Sequence, residues 1–259
     1  MKLAKHIAFY YYETREQFIL NILSETTKYP VVTDIFIHTN KNNFWLSDFD
    51  TYTNGNVHVV FHNITQENRF SLTEKPRPMI KSQRNDYDIF MYIEDDILFP
   101  VDALLYWMCY NEKLIKMNYN LGFLRIETSK KDKCEYITDL YGEKMDKTMN
   151  INNQEYCVNN KNAYCACWIY NKEEFGRFVD SKFFDIENVD YDGDTRASCA
   201  AGLHGKNLDW YKYTIIPMDN GTPVRSCKIF HMSNNYVDDD HSGINKFATI
   251  KFDNCIDNK

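Results

Sequence analysis

The stretch Asp88-Ile89-Phe90-Met91-Tyr92-Ile93-Glu94-Asp95-Asp96-Ile97-Leu98-Phe99-Pro100 decides how the rest of the chain is read. Its first half, Ile89 to Ile93, is an unbroken run of strand-forming residues, which predicts a central strand buried on both faces. Three acids follow directly, and then the chain turns apolar again and reaches a proline. Desolvating even one carboxylate without a partner is very costly, so three together need an opening or a cation. The pattern predicts a cleft at the end of this strand, with a divalent cation held by oxygen ligands. Mg²⁺ or Mn²⁺ suits such a set and is usually shared with substrate phosphates.

Upstream, Lys5 to Tyr12 has the aromatic and β-branched density of a first strand. Thr14 and Gln17 have capping-box spacing, and Phe18, Ile19, Ile22 and Leu23 fall on one face of the helix that follows. Beyond Pro30, Val31 to His38 reads as a second strand, Lys41 to Gly55 as a polar loop and Val57 to Phe61 as a third strand. Strand, helix, strand, loop, strand and then the acid-tipped strand is the order of an open α/β sheet. Ligands of such sheets bind beyond the carboxyl ends of the strands, which places Tyr11, Tyr12 and Glu13 beside the acids.

Downstream, Val101 to Met117 is an amphipathic helix with Leu104, Leu105, Met108 and Leu114 as core candidates. Leu121 to Glu127 is a short strand. Ser129 to Asn162 is too long for a structureless loop and predicts a hairpin or a substrate-facing insertion. Tyr164 to Tyr170 is apolar, Lys172 to Val179 helical, and Tyr211 to Pro217 and Cys227 to His231 are late strands. Between them Ser181 to Asp194 is acid-rich, with Asp194 placed to cap a small-residue helix running to Leu203. Everything after Val237 reads as a polar, mobile tail, with Asp238-Asp239-Asp240 solvated within it.

At 259 residues, 44% hydrophobic and 26% charged, the chain has the composition of a globular protein with a substantial core. A net charge of −7 argues against nucleic acid as partner, because phosphate binding needs a basic field. No apolar stretch reaches the length of a spanning helix, and Met1 to His6 is not a signal peptide, so a soluble, cytoplasmic protein is expected. The eight cysteines form no Cys-x-x-Cys pair, which leaves reduced thiols as the expectation and Cys109, Cys167 and Cys199 as small core residues.

The strand Ile89 to Ile93 with Glu94-Asp95-Asp96 resembles the DxD-type motif of GT-A fold nucleotide-sugar glycosyltransferases. The Glu-Asp-Asp variant before a proline-led helix is similar to that of the N-acetylglucosaminyltransferase I group. The resemblance implies a GT-A (Rossmann-like) open mixed sheet flanked by helices, forming a single domain over residues 1–237. Residues 1–127 would be its nucleotide-sugar-binding half, 128–237 its acceptor-side half and 238–259 the tail. It further implies Mn²⁺ or Mg²⁺ as cofactor on Asp96, with Asp95 and Glu94 contacting sugar, ribose or metal-bound water. The turn Tyr191-Asp192-Gly193-Asp194 is similar to the family's acceptor-side motif, which makes Asp194, with Asp192 in reserve, the base for the acceptor hydroxyl. His231, at the end of a late strand, resembles the histidine that completes the metal site in several GT-A families. A basic residue before the motif strand is expected on donor phosphate; Lys75, Arg77, Lys81 and Arg84 qualify, with Arg84 nearest in sequence.

The implied partners are a nucleotide-sugar donor, UDP-linked first among them, and a glycan or protein acceptor. The sequence departs from the family pattern in lacking a plain Asp-x-Asp and a strict Gly-Glu-Asp. Two rival readings stand beside this one: a sugar-phosphate nucleotidyltransferase, and an inactive glycosyltransferase-like binding module. The first usually carries a glycine-rich phosphate loop after its first strand, and Tyr10 to Arg15 contains no glycine. The second fits poorly with three retained acids.

Overall fold

A computed structural model of the chain describes residues 1–42, 54–188, 208–238 and 249–257. It is a mixed α/β protein. In chain order the first elements are β1 (Lys2–Phe9), α1 (Glu16–Thr26), β2 (Val32–Thr39), β3 (Val57–Phe61), α2 (Pro76–Ser82), β4 (Ile89–Glu94), β5 (Ile97–Leu98) and α3 (Val101–Ile115). Then come β6 (Asn120–Leu121), β7 (Leu124–Thr128), β8 (Glu135–Ile137), β9 (Thr148–Ile151), β10 (Gln154–Val158), β11 (Cys167–Asn171) and α4 (Lys172–Val179). The chain finishes with β12 (Thr214–Asp219), β13 (Thr222–Pro223), β14 (Lys228–His231) and β15 (Ile250–Lys251).

These elements group into two compact units, Met1–Val101 with Ala166–Leu203, and Asp102–Cys165 with His204–Lys259. The chain leaves the first unit at α3 and returns at β11, because β11 pairs antiparallel with β4, from Cys167 opposite Ile93 to Asn171 opposite Ile89.

The first unit is built on the sheet β11-β4-β1-β2-β3, in which β4, β1, β2 and β3 run parallel. Every residue of β4 is buried, as its continuous apolar run requires. On one face, Phe90 stacks on Phe175 of α4 with ring centroids 4.0 Å apart. On the other, Lys5 of β1 points at α1 and gives its ammonium to Thr26 Oγ1 (2.9 Å) and the Tyr29 hydroxyl (3.1 Å). The capping box expected at Thr14 and Gln17 does not form. Glu13–Arg15 makes a single 3₁₀ turn, α1 begins only at Glu16, and its N-cap residue Arg15 makes no side-chain capping bond.

The second unit contains two sheets, β13-β12-β10-β9 with β6 alongside β12, and β15-β8-β7-β14. The segment from 129 to 162 supplies β8 and the β9–β10 hairpin. Leu121 to Glu127 is not one strand but two, β6 and β7, parted at Gly122. A Cβ there would lie 2.8 Å from Ile216 Cγ1 and 2.9 Å from Thr214 Cγ2, so only glycine allows this approach to β12.

Two expectations are corrected in this unit. Leu105 and Cys109 of α3 are exposed, and Tyr106 and Trp107 are buried instead, because the buried stripe runs through residues 103, 104, 107, 111 and 114. The last residues are not a free tail: β15 pairs with β8, and Phe252, Cys255 and Ile256 are buried. Asp238 is not merely solvated, since it accepts from Ser129 Oγ (2.9 Å) and the Lys130 amide (2.5 Å). Among the described residues, no helix is long and apolar enough to cross a membrane.

A chain of imidazoles crosses one face of the first sheet. His6 Nδ1 lies 2.9 Å from His38 Nε2, and His38 Nδ1 lies 2.9 Å from His62 Nε2. At the inner end His6 Nε2 donates to Gln83 Oε1 at 3.0 Å; with a carbonyl there, each ring in turn carries its proton on Nε2. Burial pushes the pKa of His6 down to about 3, and burial together with His6 and His62 pushes that of His38 down to about 2. Both rings are therefore neutral in the fold but protonate in the unfolded chain below its ordinary value of about 6.5. Stability is unaffected by them above that pH and falls as pH drops from about 6.5 toward 3. Each ring contributes a slope of about 1.4 kcal/mol per pH unit. Urea unfolding at pH 5.5 and 4.5 should show a slope shallower by about that amount in His38→Phe than in the wild type. Equal slopes would contradict the neutral chain.

Candidate active site

The strand order of the first unit reverses beside β1: the chain moves outward through β2 and β3, then returns to add β4 on the other side. Loops leaving the carboxyl ends of β1 and β4 must diverge there, which opens a crevice. Parallel pairing with Ala8 opposite Glu94 brings the two ends to the same edge. The acids are held at that edge from both sides. Ile89 to Ile93 anchor them within the sheet, and beyond them Ile97 and Phe99 are fully buried. Glu94, Asp95 and Asp96 are consequently 7, 4 and 6% exposed.

Charge compensation comes from a residue that the sequence reading passed over. Arg15, in the 3₁₀ turn after β1, places Nη1 2.5 Å from Asp95 Oδ1 and Nη2 2.9 Å from Asp96 Oδ2. Among the described residues, one guanidinium thus bridges two of three adjacent acids. Asp95 Oδ2 is buried and has no hydrogen-bond partner among the described residues. Burial, and next the charge of Asp96, push the Asp95 carboxyl up to about 8 against the opposing pull of Arg15.

Beside the acids lies a cavity of about 200 Å³ lined by Ala8, Tyr10, Tyr12, Arg15, Arg69, Phe70, Leu72, Thr73, Glu94 and Asp95. Aromatic faces and two arginines converge here with the carboxylates, the usual mixture of a small-molecule site. Tyr12, expected at the donor, lines this cavity and donates its hydroxyl to Gln66 Oε1 at 2.8 Å. Tyr11 does not line it. Its hydroxyl bonds Glu16 Oε1 at 2.8 Å, and Lys41 Nζ sits 4.4 Å from its ring. Residues two apart share a side of an extended chain, so Ala8, Tyr10 and Tyr12 go together and Tyr11 points elsewhere.

The other expected residues are distributed as follows. Arg84 is not at the cavity; it forms a two-pronged pair with Asp180 at 3.0 and 3.3 Å, after the turn that closes α2. Arg77 is buried against the Phe183 and Phe184 carbonyls and the rings of Phe178 and Phe184. His231 belongs to the second unit. There its Nδ1 lies 2.5 Å from Glu127 Oε1 and its Nε2 2.7 Å from Ser233 Oγ, with Tyr236 stacked on the ring. Glu127 also accepts the backbone amides of Asn235, Tyr236 and Val237. Asp192 and Asp194 lie outside the described residues.

The donor set suits a hard divalent cation. Carboxylate oxygens crowd one edge, and one buried oxygen lacks a donor that a cation would replace. Among the described residues, no group of three or more His, Cys, Asp or Glu side chains forms a ready-made metal cage. Magnesium-type sites that share the ion with substrate phosphates need only one or two carboxylates. No family model matches the chain, and no curated protein matches it in sequence.

Asp95→Asn tests the electrostatics directly, since it replaces a carboxyl that burial and Asp96 drive toward protonation with a neutral side chain of the same shape. Thermal unfolding without metal at pH 7.5 should shift upward by about 3–6 °C, corresponding to about 1–2 kcal/mol for a chain of this size. A fall in Tm would show that the acids are not in excess.

Proposed function

We propose that the chain is a metal-dependent glycosyltransferase of the GT-A type, moving a sugar from a nucleotide-linked donor, UDP-linked first among them, to an acceptor hydroxyl. The observation that carries this reading is the buried Asp95 oxygen, without a hydrogen-bond partner among the described residues, at the point where the strand order reverses. A site for nucleic acid would need a basic field, and the chain's charge of −7 runs the other way.

In this reading Asp95 and Asp96 hold Mn²⁺ or Mg²⁺. When bound, the ion supplies Lewis acidity to the departing nucleoside diphosphate. Tyr10, Tyr12 and Phe70 offer the apolar faces against which a base or ribose packs, and Arg69 supplies positive charge at the cavity. Glu94 and the remaining capacity of Asp95 orient sugar or ribose hydroxyls. Asp194, with Asp192 in reserve, takes the acceptor proton. In the second unit, His231 donates Nδ1–H to Glu127, which leaves Nε2 as its accepting nitrogen beside the Ser233 hydroxyl.

A nucleotide-release assay over UDP-, GDP- and dTDP-sugars, with and without Mn²⁺, tests the proposal. The expected result is Mn²⁺-dependent release from one donor, reduced at least about 100-fold by Asp96→Ala. Full activity in Asp96→Ala would remove the assignment. Release from no donor, with no metal-dependent thermal shift, would replace it with a binding module.

A further inference from the structure

The acids and their counter-ion are held very differently. Glu94 is the last residue of a fully buried strand, its amide bonded to the Ala166 carbonyl at 3.2 Å, and Ile97 and Phe99 fix the chain beyond Asp96. Arg15 arrives on a long side chain, 31% exposed, from a single 3₁₀ turn that buries none of its residues. That turn is closed by two backbone bonds, from the Arg15 amide to the Tyr12 carbonyl at 2.9 Å and from the Glu16 amide to the Glu13 carbonyl. The guanidinium does not grip one carboxylate with both prongs. It lends one nitrogen to Asp95 and the other to Asp96, so it stands where both carboxylates point. It also lines the same cavity as Arg69 and the aromatic residues.

We propose that Arg15 is a resident counter-cation that a divalent metal displaces, and that the released guanidinium then turns to the phosphates of the ligand in the adjoining cavity. This inference rests on the metal site read from Asp95 and Asp96. Its physical basis is exclusion: a guanidinium and a metal ion cannot both occupy the side on which the two carboxylates converge. The acids are fixed and the arginine is not, so the arginine moves. Metal alone must compete with an internal cation. Metal arriving with a nucleotide diphosphate does not, because the diphosphate offers Arg15 a new two-pronged anionic partner. Metal and nucleotide therefore favour each other's binding, and Arg15 transmits part of that coupling.

The test is Mn²⁺ binding followed by the electron paramagnetic resonance signal of free Mn²⁺, without nucleotide and with UDP. Wild type, Arg15→Gln, Arg15→Lys and Asp96→Asn are compared. In the absence of nucleotide, Arg15→Gln should bind Mn²⁺ about tenfold tighter than wild type, with Arg15→Lys between them. With UDP present the gain should shrink, and the affinity of the Mn²⁺-saturated protein for UDP should fall about tenfold in Arg15→Gln. Asp96→Asn should lose the ion. Should Arg15→Gln fail to fold without metal, its melting with and without Mn²⁺ decides: rescue by the ion supports displacement, and no rescue overturns it. Equal or weaker Mn²⁺ binding by Arg15→Gln, alongside clear binding by wild type, overturns the role of Arg15 and leaves the metal site standing. Absence of binding by both proteins, with or without UDP, overturns the metal reading and this inference together.

Discussion

Three carboxylates fixed inside the edge of a sheet are the constraint to which the rest of the first unit is fitted. They cannot retreat to solvent, because Ile89 to Ile93 hold them on one side and Ile97 and Phe99 on the other. Compensation has to come to them, and Arg15 supplies part of it from the turn after the neighbouring strand. What remains is an acid with one oxygen unsatisfied among the described residues and a proton affinity far above that of an ordinary carboxylate. A structure tolerates such crowding of carboxyl groups where something else is to bind, and a strongly perturbed group in a cleft is a candidate for function. The apolar residues of the strand are thus as much a part of the site as the acids, since they keep the acids from relaxing.

The architecture shows why the compensation reaches this point. Parallel pairing aligns the carboxyl ends of β1 and β4, and the reversal of strand order between them parts the loops. One loop then carries tyrosines and Arg15, the other the acids. The imidazole chain His6–His38–His62 and the stacked rings of Phe36 and His58 occupy the cavity-side face of the same sheet. The three imidazoles of that face hydrogen-bond one another, which allows them to be buried without charge. The opposite face takes Lys5, whose pKa burial lowers to about 7.

Much of the first unit was legible in the sequence because its strands are short apolar runs bounded by turn residues. Val57–Phe61 and Lys172–Val179 have the same bounds in sequence and structure. The failures have physical causes. The capping box at Thr14 and Gln17 was a local signal overridden by the turn that presents Arg15. The strand from Leu121 to Glu127 was split by a close approach of backbone to β12 that no one-dimensional pattern records. The polar C-terminal residues contain Phe252, Cys255 and Ile256, too sparse to register as periodic but sufficient to dock.

Within the site, the acids were visible because charge after a buried strand is a conflict that composition alone exposes. Their partner was not. Among basic residues, nearness in sequence favoured Arg84, whereas nearness in space follows strand pairing and selects Arg15, about 80 residues away. The signal was present: a parallel neighbour of β4 would bring the first arginine after its own carboxyl end to the acids. Period-two alternation would likewise have preferred Tyr10 and Tyr12 over Tyr11. Anomalous diffraction at the manganese edge, from crystals grown with MnCl₂ and UDP, tests the central claim most directly. The account predicts a manganese peak on Asp96 and Asp95, with Arg15 withdrawn from both carboxylates and on phosphate. Arg15 still bridging Asp95 and Asp96, with manganese absent or elsewhere, would contradict it.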